Sequence, residues 1–248
     1  MATLCKARPT LPAVKVVIPS AGLGTRFAKL HLGIPKELLP LGGKPVIGHA
    51  LDEAARAGFE AAVVVLSPSK EQLRQFLAET KAPLPVEIVL QPEPKGIGDA
   101  VLRSWQGEPV GVLLPDDVVL ATDHWTKLLD LHGRDGAATL CVRPVPLDQT
   151  SRFGIADVDG DRVVGLIEKP APGTSISNLA IFGRYVVTEA VVAGLRGLHA
   201  TGELEITDGF VAAIPVAPGV RVVRFGGEIY DCGTPEAYAA STARYMAS

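Results

Sequence analysis

Apolar residues along this chain come in short continuous runs separated by stretches with helical spacing. The runs at 14–19, 61–66, 86–90, 110–114 and 137–145 are rich in valine, isoleucine and leucine. Between them, Val46–Ala57 repeats apolar positions every three or four residues and stops at Gly58, the pattern of an amphipathic helix with a glycine end. Further helices are predicted from a Ser69 cap to Leu77, over 98–105 and over 123–132. Continuous apolar strands alternating with amphipathic helices predict a parallel sheet covered on both faces, and such sheets bind ligands at the carboxyl ends of their strands.

Beyond residue 145 the pattern changes. Segments 152–157 and 162–168 flank Asp159-Gly160-Asp161, a hairpin signal. A strand at 177–187, a helix at 188–195, a helix at 204–214, a strand at 220–225 and a C-terminal helix from Pro235 follow. The expected fold class is therefore α/β: a Rossmann-like mixed, mostly parallel sheet flanked by helices, with a small antiparallel substrate lobe. Residues 1–13 read as a flexible leader and 14–248 as a single domain.

Composition narrows the function. The 248 residues carry a formal net charge of −3, with no run of Lys and Arg, which argues against nucleic acid or an anionic membrane as a partner. No apolar run approaches the ~20 residues of a membrane span. Cys5, Cys141 and Cys232 are widely spaced, giving neither a disulfide framework nor a zinc site, and fit a reducing cytoplasm. The five histidines, His31, His49, His124, His132 and His199, show no ligand spacing.

The strongest chemical signal is Ser20-Ala21-Gly22-Leu23-Gly24-Thr25-Arg26, directly after the first strand. Glycines there let backbone N–H groups approach phosphate oxygens, and Arg26 adds a fixed positive charge. The segment lacks the third glycine of a dinucleotide fingerprint and the Gly-Lys-Ser/Thr of a P-loop. Ile34-Pro35-Lys36-Glu37-Leu38-Leu39-Pro40 follows, with prolines that keep it extended and present Lys36.

Together these segments, with Lys44-Pro45-Val46-Ile47, resemble the start of the sugar-1-phosphate nucleotidyltransferases. The similarity extends from about Val14 to Tyr238 and is nearest the bacterial branch that joins UTP to glucose 1-phosphate. It implies the nucleotide-diphospho-sugar transferase type of sheet and a nucleotide site at Ala21, Gly22, Gly24 and Thr25. Arg26 and Lys36 would hold the triphosphate, while Gln91 and Gly96 would read a pyrimidine edge. Asp99 stands where that branch often has histidine; a carboxylate near a triphosphate is unfavourable unless it points away, so Asp99 is left unassigned.

Four later pieces complete the implied site. Asp116, at the end of the 110–114 run, and Asp231, in Tyr230-Asp231-Cys232-Gly233, would be the magnesium ligands. Gly154, Glu168, Lys169 and Asn178 would form the sugar-phosphate site, with Lys169 on the phosphate. Glu205 and Asp208, in Gly202-Glu203-Leu204-Glu205-Ile206-Thr207-Asp208, could instead decorate an exposed helix face. Cys232 has no paired histidine to make it a nucleophile.

The implied reaction is Mg²⁺-dependent transfer of a nucleotidyl group from UTP to glucose 1-phosphate, giving UDP-glucose and pyrophosphate. Uracil and thymine present the same base edge, so dTTP stays open as the nucleotide. A non-catalytic nucleotide-sugar sensor of the same fold is a different class of answer, and a homo-oligomer remains open.

Overall fold

A computed structural model describes residues 15–27, 33–175, 177–198 and 202–247, together with the backbone but not the side chain of Arg26. The leader at 1–13, His31 and His199 lie outside that set. Four parallel strands form one end of a nine-stranded sheet: β1 (Val16–Ser20), β2 (Ala62–Leu66), β3 (Val86–Leu90) and β4 (Val110–Leu113), in spatial order β3-β2-β1-β4.

Strand alternation explains why these runs are apolar throughout. Val17, Val63, Val65 and Val112 pack on one face, while Val16, Ile18, Val64 and Leu113 pack on the other. Across β1, β2 and β4 each face is covered by helices, so neither can be polar, whereas β3 at the sheet edge leaves Glu87, Ile88 and Leu90 exposed. The second face lies under α1 (Val46–Ala57), α2 (Glu71–Glu79) and, further on, α4 (Asp123–Asp135); the first lies under α3 (Gly96–Ser104), α5 (Glu189–Arg196) and α6 (Ile206–Ala213). Helix α1 ends as its sequence predicts, with Gly58 at φ 92°.

The sheet continues through β5 (Ala138–Pro144), β6 (Gly154–Asp159), β7 (Arg162–Glu168), β8 (Leu179–Val187) and β9 (Val220–Arg224). Strand β8 runs antiparallel to β4 through Arg184–Val187, and the order beyond it is β8-β5-β9-β7-β6. Residues Leu179 and Ala180 of β8 also pair with β6, which closes these five strands into a ring. The expected antiparallel lobe is thus continuous with the main sheet rather than separate from it, and β5–β9 within it is parallel.

Two starts differ from the sequence reading. Helix α2 takes Lys70, not Ser69, as its cap residue, because the Ser69 hydroxyl bonds that of Ser67 while Lys70 turns inward. Helix α3 begins at Gly96, two residues before position 98, with φ 85° under the Leu204 backbone; a Cβ at Gly96 would lie 2.5 Å from Leu204 O.

A two-residue ribbon places the C-terminal segment at the site. Asp117–Val118 pairs antiparallel with Tyr230–Asp231, and Cys232 N donates to Asp116 O at 2.7 Å. Tyr230, Cys232, Val118, Leu41 and Val46 form a small separate core, against which Tyr238 and Tyr245 of α7 (Pro235–Ala247) pack. Among the described residues, no helix is long and apolar enough to cross a membrane.

Candidate active site

A cleft of about 430 Å³ opens where β1, β3 and β4 end. Its walls include Ser20 at the end of β1, Ala21 and Gly22 after it, Gln91 after β3, Gly96 at the start of α3, and Asp116 after β4. Lys36, Arg152, Lys169, Glu203 and Glu205 complete it. Residues far apart in sequence meet here because parallel strands deliver their carboxyl ends to one edge of the sheet.

At the centre, Lys36 Nζ donates to Asp116 Oδ2 at 2.6 Å. Burial alone would lower the lysine pKa, but the charges of Asp116, Glu37 and Asp117 outweigh it and hold it above the usual lysine range. For Asp116, burial works upward, and the Lys36 charge and hydrogen bond win and depress it. Glu37, on the next residue, pairs with Lys70 Nζ at 2.7 Å in a nearly solvent-free contact.

Asp231 lies close by. A Cβ added to Gly233 would sit 3.2 Å from Asp231 Oδ1 and 3.4 Å from Asp116 Oδ2, so both carboxylates border the space that glycine leaves. The Gly233 N–H donates to Asp231 Oδ1 at 2.8 Å and fixes that side chain. Asp117 differs from its neighbour: burial, then repulsion from Asp116, with Asp231 adding to it, pushes its pKa up to about 6 against the pull of Arg184. The Cys232 thiol is buried and pushed up to about 12 by that burial and by the Asp116 and Asp231 charges, which makes it a poor nucleophile.

Arg184 holds the floor beneath these aspartates. Its guanidinium is 1% exposed and grips Glu53 of α1 through Nε and Nη2 at 2.6 and 2.7 Å. The remaining N–H groups donate to the backbone carbonyls of Leu114, Gly183 and Asp117. Glu53 also accepts from Trp125 Nε1 at 2.8 Å and contacts His124 Nε2 at 3.1 Å. The β8–β5 register shifts between Phe182 and Tyr185, which frees Arg184 from the ladder there.

At the far end, Lys169 Nζ contacts Glu205 Oε1 at 3.0 Å and Glu168 Oε1 at 3.1 Å. Lys169 has φ 44°, a left-handed conformation uncommon for a lysine. Glu168 Oε2 accepts from Thr207 Oγ1 at 2.7 Å and sits against Gly154, where a Cβ would come within 2.9 Å of it. Glu205, just ahead of α6, therefore holds Lys169 rather than decorating a helix face.

Of the residues the sequence singles out, Ala21, Gly22, Lys36, Gln91, Gly96, Asp116 and Lys169 line the one cleft; Glu168 contacts Lys169, Gly154 lies behind Glu168, and Asp231 borders the same space as Asp116. Gly24 borders an adjoining hollow with Lys36 and Lys70, and Thr25, itself exposed, begins the short turn after it. The side chain of Arg26 lies outside the described set. Asn178 is not brought to the cleft; it is exposed and lines a separate shallow cavity with Asp157, Ser177 and Arg224. Sequence reasoning missed Arg152, Lys70 and the role of Arg184. An arginine inside an otherwise apolar strand was the available signal for the last, because a buried charge must be paired.

Residues 15–248 match the nucleotidyl transferase family. The chain belongs to that family. This nucleotidyl transferase is 34% identical, over 264 aligned positions, to the UTP–glucose-1-phosphate uridylyltransferase of Bacillus subtilis (strain 168), covering 93% of this chain and 90% of that one. It is 33% identical to the enzyme of the same name from Komagataeibacter xylinus, with 90% of each chain covered. In three dimensions the nucleotidyl transferase superposes on a UDP-glucose pyrophosphorylase complexed with UDP-glucose, with a TM-score of 0.85 and 27% identity over 95% of this chain and 99% of that one. A UTP-bound enzyme of that kind from Acinetobacter baumannii gives 0.80 and 30% over 94% and 93%.

Proposed function

We propose that this nucleotidyl transferase moves the uridylyl group of UTP to glucose 1-phosphate, with Mg²⁺, and releases UDP-glucose and pyrophosphate. The observation that carries this reading is that Gln91, Gly96, Lys36, Asp116 and Lys169 line one cleft. That gives a base-reading end, a charged centre and a second cation for a second anion. The likeness in sequence and structure to enzymes named for UTP and glucose 1-phosphate supports the choice of substrates. Buried, free Cys141 and Cys232 support a cytoplasmic setting.

The donor set suits magnesium. Among the described residues no group of three or more His, Cys, Asp or Glu forms a metal cage. Mg²⁺ is ordinarily held by one or two carboxylates plus substrate phosphates, and Asp116 with Asp231 supply two that border the same space. Bound there, the ion would neutralise charge on the triphosphate.

The rest of the chemistry belongs to the chain. A phosphate oxygen of glucose 1-phosphate attacks the α-phosphorus, the bond from that phosphorus to the bridging oxygen breaks, and pyrophosphate leaves with the electron pair. The nucleophile is already an anion, so no general base is needed. The obstacle is bringing two anions together, and catalysis comes from positioning and fixed charge. Lys36, released from Asp116, and Arg26 would take the triphosphate, Lys169 the sugar phosphate, and Glu168 the sugar hydroxyls, backed by Thr207 and Gly154.

The test is pyrophosphate release from a matrix of UTP, dTTP, CTP, ATP and GTP against several sugar 1-phosphates, with and without chelator. UTP with glucose 1-phosphate should be the fastest pair, and chelation should abolish it. Faster turnover of another pair would replace the substrate assignment, and no turnover of any pair would favour a sensor.

A further inference from the structure

The Gln91 amide has two protons, and both are committed inside the protein. Its Nε2 donates to the Gly96 carbonyl at 3.0 Å and to Asp99 Oδ2 at 2.8 Å. A carbonyl and a carboxylate can only accept, so both neighbours demand the nitrogen and neither tolerates the oxygen. Asp99 is itself ion-paired, with Arg103 Nε donating to the same Oδ2 at 2.6 Å from one turn along α3. Gln91 is 3% exposed, so the amide has little room to turn. Among the described residues no group is hydrogen-bonded to its Oε1, and that atom is not sealed off from the cleft that Gln91 lines.

We propose that Asp99 is a specificity-determining positioning residue, which locks the Gln91 amide so that the cleft meets the base with an acceptor and never a donor. The inference rests on the reading that Gln91 and Gly96 face the base. Uracil and thymine carry a proton on N3 and satisfy Oε1. Cytosine carries a lone pair on N3, which would face the oxygen's own lone pairs. Cytosine could be welcomed only by a flipped amide, and a flip would set Oε1 against the Asp99 carboxylate and the Gly96 carbonyl. The carboxylate that looks misplaced beside a triphosphate thus points away from the phosphates and guards the base end.

The experiment measures equilibrium binding of UTP and CTP to the full chain, wild type, Asp99→Asn, Asp99→Ala and Gln91→Ala, with thermal unfolding of each. Binding rather than turnover is read, so the result stands whether or not the transfer reaction is the proposed one. Wild type should prefer UTP by about a hundredfold or more, since a mispaired polar group in a buried site discriminates strongly. Asp99→Asn should narrow that ratio about tenfold, because an asparagine amide can donate to a flipped Oε1. Asp99→Ala should narrow it less, since the Gly96 carbonyl still holds Nε2. A merely structural role would weaken both nucleotides together and leave the ratio in place. An unchanged ratio in Asp99→Asn, with Gln91→Ala lowering it, overturns the lock but leaves the base reading intact. An unchanged ratio in Gln91→Ala as well overturns the base reading and the lock with it.

Discussion

At the end of the cleft proposed for the nucleotide, the side chains of Lys36 and Asp116 are 19% and 28% exposed and paired with each other. At the end proposed for the sugar phosphate, the Lys169 side chain is 55% exposed and shared between Glu168 and Glu205. The first end is built on parallel strands, of which β1 and β4 are buried on both faces, and Gln91 and Arg184 there are held by partners on other elements. The second is built on β7 and the start of α6, beside solvent. Preorganised, half-buried charge acts strongly on a substrate because little water screens it. Exposed charge is cheaper to maintain and easier to exchange. The contrast assigns rate mainly to the first end and affinity for the second substrate to the other.

The largest expected effect comes from removing the anchor behind the nucleotide end. Arg184→Leu strips Glu53 of its buried cation and three backbone carbonyls of their donors. Loss of one partner of a buried pair costs about 3–5 kcal/mol, so denaturant unfolding should show a loss of that order. A loss below about 1 kcal/mol, the range of an exposed pair, would remove the distinction between the two ends. Next in size are Asp116→Asn and Asp231→Asn, each expected to cut turnover at least about a hundredfold, some 2.7 kcal/mol of barrier, with folding preserved. Near-normal rates in both would sink the metal assignment.

Much of the nucleotide end was legible in the sequence, for physical reasons. Val86–Leu90 and Val46–Ala57 are recovered to the residue, because a short apolar run set between Pro85 and Pro92 and a helix ended by glycine each leave an unambiguous local pattern. Lys36 and Asp116 were readable from position, one in a stiff proline-flanked loop and the other just past a strand end, whereas Gln91 came from the family resemblance alone. What stayed hidden depends on contacts between distant segments. The ribbon joining Asp117–Val118 to Tyr230–Asp231 is too short to show any periodicity. Asp99 looked misplaced because its partner, Gln91, lies outside its own helix, and Asn178, together with its neighbours Ser177 and Leu179, lines another cavity.

A smaller effect is expected at the exposed end. Lys169→Ala should raise KM for glucose 1-phosphate about tenfold, the scale of one charge-assisted hydrogen bond discounted for solvent, and move KM for UTP by less than about twofold. A larger change in KM for UTP than for glucose 1-phosphate would place Lys169 on the wrong substrate.

The smallest effect separates the two ends without any mutation. At constant free Mg²⁺, raising salt from about 0.05 to 0.3 M shortens the distance over which exposed charges act to a few ångströms. Lys169, more than half exposed, should lose more of its hold than Lys36, whose pair with Asp116 is largely shielded. KM for glucose 1-phosphate should therefore rise about threefold, with a smaller rise for UTP, as expected when screening reaches exposed pairs before buried ones. The control is Lys169→Ala, in which the salt dependence for glucose 1-phosphate should flatten, because the screened charge has gone. A salt response that is steeper for UTP, or that survives in Lys169→Ala, would mean that the exposed lysine is not what the second substrate feels.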